Sequence, residues 1–251
     1  MLQHLYILTG ASRGMGLAMA QQLLKPGNAL LCISRHTHPD LAADAQKSGV
    51  PLTQWTQDLA DGEGASARLR EWLQGQNPAD LGSVSLINNA GVIPPILPMR
   101  QSKSADLAMA LRVGLEAPMV LCAAFLGATQ TWTMPRKVLN ISSGLGRFPM
   151  ASQAGYCAAK AGLDHFTRCM ALDEALHSHG AKVCSLAPGV IDTDMQVQLR
   201  GAAGGTFPDQ SKFLQLKAQG QLSSPGQAAE KVLRFLARPE FGQEPVADVR
   251  G

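Results

Sequence analysis

The apolar run Leu5-Tyr6-Ile7-Leu8 passes directly into Thr9-Gly10-Ala11-Ser12-Arg13-Gly14-Met15-Gly16, and a helical pattern over residues 15–24 begins inside that glycine-rich string. A strand joined by a tight turn to a helix is one half of a βαβ unit. The same rhythm continues. Short apolar runs centred on Ala29-Leu30-Leu31-Cys32-Ile33, Ser85-Leu86-Ile87, Lys137-Val138-Leu139-Asn140-Ile141 and Lys182-Val183-Cys184-Ser185-Leu186 read as buried strands. Helical periodicity fills 64–73, 105–126 and 154–178 between them. Right-handed crossovers then place the strands in a parallel sheet covered by helices on both faces. No repeat, low-complexity tract or linker divides residues 1–251, so one α/β domain is expected.

Composition narrows the partners. Charged residues are 16% of the chain, against a typical ~25%, which suits a compact fold with much buried surface. A net charge of +3, dispersed along the chain, gives no nucleic-acid footprint. The longest apolar stretch, Ala117–Ala128, is shorter than the ~20 residues a membrane helix needs. Residues 1–9 carry no charged-then-apolar leader, so a cytoplasmic location without membrane attachment is expected. Cys32, Cys122, Cys157, Cys169 and Cys184 are odd in number and form no C-x-x-C pair; reduced, mostly buried thiols and no metal site are expected.

The glycine string suggests what the turn is for. Glycines allow a sharp reversal and a close approach of phosphate to the backbone, and the following helix offers unpaired N–H groups and partial positive charge. Alone it is often no more than a tight turn; after the first strand and before a helix it points to a dinucleotide. At the end of the second strand stands Ser34-Arg35-His36, with no carboxylate before Asp40. A ribose 2′-hydroxyl is usually held by Asp or Glu there, whereas a guanidinium suits a 2′-phosphate. Arg35 and Arg13 therefore favour NADP(H), the alternative being that both are simply solvated.

Tyr156 and Lys160 lie four apart in a helical segment and so share a face. A phenol ionises near ~10, and a nearby ammonium lowers that value toward useful acid–base chemistry. Tyr-x-x-x-Lys is common by chance, and its weight comes from company. With Thr9–Gly16, Asn88-Asn89-Ala90-Gly91, Ser143, the Tyr156/Lys160 pair and Pro188-Gly189 in order, the chain resembles the short-chain dehydrogenase/reductase family over nearly its whole length.

That resemblance implies a Rossmann-like, doubly wound sheet of about seven strands. It also implies hydride transfer between a nicotinamide and a carbonyl or alcohol carbon. Gly10, Ser12, Arg13, Gly14, Met15 and Gly16 would hold the pyrophosphate, Asp58 and Leu59 the adenine, and Asn89, Ala90 and Gly91 the ribose side. Ile191 and Thr193, after Pro188 and Gly189, would hold the carboxamide. Lys160 would bind the nicotinamide ribose and assist Tyr156, the proton donor, while Ser143 would hold the substrate carbonyl. Ser142 reads as structural. The family's habit of pairing through its two long helices implies a homodimer or homotetramer.

Within the family, Tyr156-Cys157-Ala158-Ala159-Lys160, the string from Ala187 to Gln196 and the tail through Val246-Ala247-Asp248 are similar to those of sepiapterin reductases and bacterial benzil-type diketone reductases. By that likeness Met195 and Asp248 are candidate substrate contacts. Asp248 would anchor a pterin, or else cap a turn or pair with Arg250. Val249-Arg250, where pterin enzymes carry aromatics, favours a smaller diketone or another ketone. Gly114 stands where the family usually has an asparagine that anchors a relay water. Water in the vacated place, impaired proton delivery and drift from catalysis are the three readings of that change, the first being preferred.

Residues 196–221 break the alternation, with Gly201, Gly204, Gly205, Pro208 and Gly220 among amphipathic pieces. A substrate lid is the preferred reading and a surface excursion the other. Overall, an NADPH-dependent reductase of a small carbonyl substrate is expected. An NADP-dependent alcohol dehydrogenase and a catalytically weakened NADP sensor remain as alternatives.

Overall fold

A computed structural model describes residues 3–202 and 205–250; Gly204 of the expected lid lies outside the described residues. In chain order the elements are β1 (Gln3–Thr9), α1 (Gly14–Leu23), β2 (Asn28–Ser34), α2 (Pro39–Ser48), β3 (Leu52–Thr56), α3 (Gly62–Gln74), β4 (Leu81–Asn88) and α4 (Ser104–Leu111). They continue as α5 (Ala117–Ala128), β5 (Arg136–Ile141), α6 (Ala154–Ala175), β6 (Lys182–Ala187), α7 (Asp194–Arg200), α8 (Gln210–Ala218), α9 (Pro225–Ala237) and β7 (Val246–Asp248). The strands form one seven-stranded sheet in the order β3-β2-β1-β4-β5-β6-β7, with every pair parallel. Strand order reverses at β1, which pairs with β2 on one side and β4 on the other. Ligands of open α/β sheets sit beyond the carboxyl ends of the strands at such a reversal.

Side-chain alternation explains the two covered faces. Leu5 and Ile7 of β1 and Leu31 and Ile33 of β2 point into one cluster with Leu69 and Leu73 of α3, Leu121 and Phe125 of α5 and Met170 of α6. Their neighbours Leu8, Leu30 and Cys32 point to the other face, among Met15 and Met19 of α1, Leu41 of α2 and Val232 and Leu236 of α9. A period of two cannot place these residues otherwise. The near-continuous apolar strands follow from burial on both sides.

Several elements escape the periodicity reading. Strand β3, at the sheet edge, buries only Trp55, which meets Trp72 of α3 edge-on with centroids 5.9 Å apart. Helix α9 opens with a full capping box between Ser224 and Gln227 and has Pro225 in its first turn. Helices α4 and α5 form one helical run, Ser104–Ala128, joined by a π-helical turn at Arg112–Glu116. By length and composition this 25-residue run is long and apolar enough to cross a membrane, unlike the shorter stretch judged from sequence. Half of it is buried, with Ala117, Leu121 and Phe125 inside the core, as for the central helix of a two-layered sheet.

Candidate active site

The ends of β1 and β4 are stitched together at the point of reversal. Thr9 Oγ1 accepts the backbone N–H groups of Asn89 and Ala90, both at 3.0 Å. Asn89 Nδ2 returns to the carbonyls of Thr9, at 3.0 Å, and Gly10, at 3.3 Å. The glycine turn therefore rests on β4, and little space is left. A Cβ on Gly16 would stand 2.0 Å from the Gly10 carbonyl oxygen, and one on Gly10 would meet Ala90 Cα at 2.9 Å. Gly10 and Gly14 also adopt φ of +70° and +56°. No side chain caps the N-terminus of α1, which begins at Gly14 and carries Met15 on its buried side. Its first N–H groups remain available to a pyrophosphate, as a dinucleotide requires.

Around this cradle lie the other residues expected to contact a cofactor. Asp58 is exposed beyond β3 and its Oδ1 accepts Ala60 N–H at 2.9 Å, which fixes the bend, while Leu59 is buried. Arg35 is exposed at the end of β2 and has no ion-pair partner among the described residues. Arg13 instead bonds Asp194 at the start of α7, at 2.9 Å. Ser12 lies partly exposed in the turn. Beyond β6, Pro188 leads to Gly189, whose φ of +83° suits glycine alone. Ile191 then bridges to Ser223, and Thr193 Oγ1 donates to the Ile191 carbonyl at 3.4 Å.

The side chains expected to carry the reaction meet beyond β5 and at the start of α6. Ser143 opens a 3-10 turn, Gly144–Gly146, accepts Leu145 N–H at 3.2 Å and hydrogen-bonds Tyr156. Lys160 is buried, its Nζ donating to the Ile141 carbonyl at 2.7 Å and lying 5.8 Å from the Tyr156 ring centroid. Met195 Cε and Lys160 Nζ lie 3.7 and 4.0 Å from where a Cβ on Gly91 would stand, so both border the same space. Ser142, as its structural reading anticipated, points into the protein with its hydroxyl buried.

Two electrostatic details differ from the sequence reading. Burial holds the Tyr156 phenol above its ordinary value, opposed by the Ser143 hydrogen bond; the Lys160 ammonium is not what sets it. Lys160 itself is pushed down to about 8 by burial, with Asp164 pulling the other way. Tyr156 is thus held as a neutral donor beside a cation that gives up its proton more readily than an exposed lysine. Asp248 is engaged too: its carboxylate takes Arg250 Nε at 2.8 Å, Nη2 at 2.7 Å and the Arg250 N–H at 3.0 Å.

Gly114 sits in the π-helical turn, buried against α6, and a Cβ there would stand 3.1 Å from the Ala159 methyl. Its neighbour is apolar, so close helix packing, rather than a polar space for water, accounts for glycine at this place.

The 196–221 segment forms most of α7 and all of α8 and brings a third apolar cluster of its own. Leu199, Phe207 and Phe213 pack with Ile96, and Ile93 and Met150 border them. The segment is tied down at its base by Asp192, which bonds Lys217 of α8 at 2.5 Å and Arg200 of α7 at 3.5 Å. Ser152, with φ of +62°, donates its hydroxyl to the Thr206 carbonyl. A non-glycine residue in that conformation is strained and persists only where its surroundings hold it. Arg147 and Asp164, missed in the sequence, complete the site from below; the Lys160–Asp164 spacing of four was the available signal.

A phosphate-sized turn at the sheet reversal, with a serine, a tyrosine and a lysine converging two strands away, defines a nicotinamide-dependent oxidoreductase. Comparison with known proteins agrees. The short chain dehydrogenase family profile matches residues 4–203. Benzil reductase ((S)-benzoin forming) of Bacillus cereus is 34% identical over 96% of both chains. Sepiapterin reductase of Meriones unguiculatus is 30% identical over 94% of this chain and 92% of its own. A crystal structure of a short-chain dehydrogenase/reductase from Burkholderia vietnamiensis shares 33% identity over 99% of both chains, with a TM-score of 0.65. The chain belongs to the short-chain dehydrogenase/reductase family, NAD(P)-binding oxidoreductases acting on CH–OH and C=O groups.

Proposed function

We propose that this protein is an NADPH-dependent reductase of ketones and 1,2-diketones, with an apolar, benzil-like substrate. The convergence of Ser143, Tyr156 and Lys160 carries the reading, and the apolar cluster to which the loops after β4 and β5 contribute Ile93, Ile96 and Met150 supports an apolar substrate. The likeness to benzil reductase and sepiapterin reductase supports both the reaction and the two substrate classes compared. Between those classes, the pairing of Asp248 with Arg250 favours the diketone, because a carboxylate already bonded three times is a poor free anchor for a pterin. Arg35, exposed and unpaired among the described residues, supports a 2′-phosphate.

A bound nicotinamide supplies the hydride to the carbonyl carbon. The chain's own residues handle the oxygen. Ser143 and Tyr156 donate hydrogen bonds to it as charge develops, and Tyr156 gives up its phenolic proton. Lys160, oriented by the Ile141 carbonyl, holds the ribose and supplies positive charge near the phenolate that remains. Segment 196–221, docked through Asp192 and Ser152, covers the substrate and excludes water as a lid.

NADPH and NADH oxidation against benzil, small diketones, aromatic aldehydes and sepiapterin tests the proposal. NADPH-dependent turnover of benzil above sepiapterin is expected. Turnover confined to NADH, or none on any carbonyl with intact NADPH binding, would overturn it. Tyr156→Phe should bind NADPH as the parent does and lose roughly 100-fold or more in turnover, the scale of acid–base contributions.

We also propose a homodimer, formed through α5 and α6. Met119 on α5, Leu172 on α6 and Leu176 beyond it are exposed apolar side chains, and nothing stands within 4 Å of a Cβ placed at Gly127. Exposed apolar side chains on two long helices suit a second copy of this chain. Leu172→Glu should convert a dimer to a monomer in sedimentation velocity; a monomeric parent would sink the proposal.

A further inference from the structure

A buried ion pair joins the Ser143 turn to the Lys160 helix beneath the reacting atoms. Asp164, one helical turn beyond Lys160 on α6, is 1% exposed. Its Oδ1 accepts the Ser185 hydroxyl of β6 at 2.6 Å, and its Oδ2 lies 3.2 Å from Arg147 Nε. Arg147 follows the 3-10 turn that Ser143 opens, and its Nη2 donates to the Ala247 carbonyl of β7 at 2.8 Å. Gly146 allows the approach: a Cβ there would stand 2.8 Å from Asp164 Oδ2 and 2.9 Å from the Lys160 carbonyl oxygen. One carboxylate thus links the turn of Ser143, the helix of Tyr156 and Lys160 and the strand leading to Pro188. Through Arg147 it also reaches the strand that carries Asp248.

A link of this kind need not be charged, because buried ion pairs are often replaceable by apolar residues at no loss of stability. The charge has a second use. Lys160 is out of water, its strong bond is to the neutral Ile141 carbonyl, and burial disfavours its ammonium. Asp164 acts against that loss, and the Arg147 guanidinium paired with it would offset part of its field at Lys160.

We propose that Asp164, moderated by Arg147, is a positioning residue that keeps Lys160 charged while seating the Ser143 turn on the catalytic helix. The inference rests on the oxidoreductase reading of this site. The groups facing this centre are few. Tyr156 and Lys160 lie on α6 with Asp164, and Arg147 comes from the turn after β5. From β6 comes Cys184, which also feels Glu244 ahead of β7 and is pushed up to about 12, hence neutral. Asp248 of β7 is close enough to Arg147 to feel its charge. From β5 only the Ile141 carbonyl meets the ammonium among the described residues.

The test uses the full chain and two readouts across the pH range in which Lys160 titrates. One is kcat/KM for carbonyl reduction. The other is NAD(P)H affinity from cofactor fluorescence, which needs no turnover. Asp164→Asn keeps the shape and should move the alkaline limb of both profiles downward by about one pH unit, the scale of a close charge pair. Arg147→Met should move it upward, and Arg147→Lys should leave it at the parental position. Opposite shifts from the two partners are the signature of a field at Lys160. Equal losses in both variants, with the limb unmoved, mean a structural link only and overturn the proposal. Should Asp164→Asn fail to fold, the Met and Lys variants of Arg147 decide alone: identical limbs in both refute it. If the parent reduces no carbonyl, the reductase reading falls, while the affinity profiles still test Asp164.

Discussion

Gly16 shows how much a single residue can impose on this site. It lies in the first turn of α1, and the Gly10 carbonyl oxygen occupies the place its Cβ would take, 2.0 Å away, with Asn89 Nδ2 at 2.5 Å. Neither neighbour is free to move, since the Asn89 amide holds the carbonyls of Thr9 and Gly10. Gly16→Ala must therefore rebuild the turn. A loss of roughly 1–3 kcal/mol in stability is expected, as for overpacked sites. NAD(P)H affinity should fall at least about tenfold, or 1.4 kcal/mol. Urea unfolding and fluorescence titration check both, and unchanged affinity would show that the turn does not hold the phosphates. The glycine and the Tyr156/Lys160 pair were legible because their chemistry depends on residue type and spacing. Gly114 was not: its neighbour, Ala159, is 45 residues away in sequence, and only the packing of α6 on the π-helical turn shows how little room a side chain would have. The direction of the Tyr156 shift was hidden for a similar reason. Charge can be read from a sequence, whereas the partial burial of Tyr156 depends on the elements around it.

Elements were legible where burial repeats along them. The five strands and four helices read from periodicity all lie inside the covered sheet, where both faces demand apolar residues. Strand β3 was missed because a sheet edge needs only Trp55 inside, and Leu52-Thr53-Gln54-Trp55-Thr56 has no continuous apolar run. Helix α9 was missed for a different reason: its start is written in capping chemistry. Ser224 Oγ accepts Gln227 N–H at 3.2 Å, and Gln227 Oε1 accepts Ser224 N–H at 2.9 Å. These bonds satisfy groups that the first turn leaves open. Ser224→Ala should cost about 1 kcal/mol, read as a lower urea midpoint with an unchanged slope. Because α9 packs on α1 through the Val232 and Leu236 face, the same variant should loosen the cradle only slightly. A tenfold loss of cofactor affinity would mean that α9 has a direct role in binding.

For the molecule as a whole, the low charge content and the depth of the core meet in its response to pH. Three thiols, Cys32, Cys122 and Cys184, are buried and pushed up to about 12 from 9.0 by desolvation. Each keeps its proton in the folded chain over a range in which the unfolded chain gives it up. The folded state then binds more protons, and stability falls as pH rises above about 9. Lys160 works in the other direction. Its value of about 8 lies below the ordinary 10.5, so the unfolded chain binds the extra proton between those limits and stability rises with pH there. Each group contributes up to about 1.4 kcal/mol per pH unit inside its window. From pH 8 to 9 Lys160 acts ahead of these thiols, so stability should rise, by up to about 1.4 kcal/mol. Beyond 9 the three thiols, joined by the raised Cys157, Tyr6 and Tyr156, outweigh Lys160 and the lowered Lys137, and the urea midpoint should drop steeply. Cys32→Ala should make that decline shallower without moving its onset, although it lowers stability at neutral pH by leaving a small void. A midpoint that stays level through pH 10.5 would show that the thiols are not buried as described. Their reduced state was expected from their number and spacing, but their consequence arises only once the sheet closes between its two helical layers.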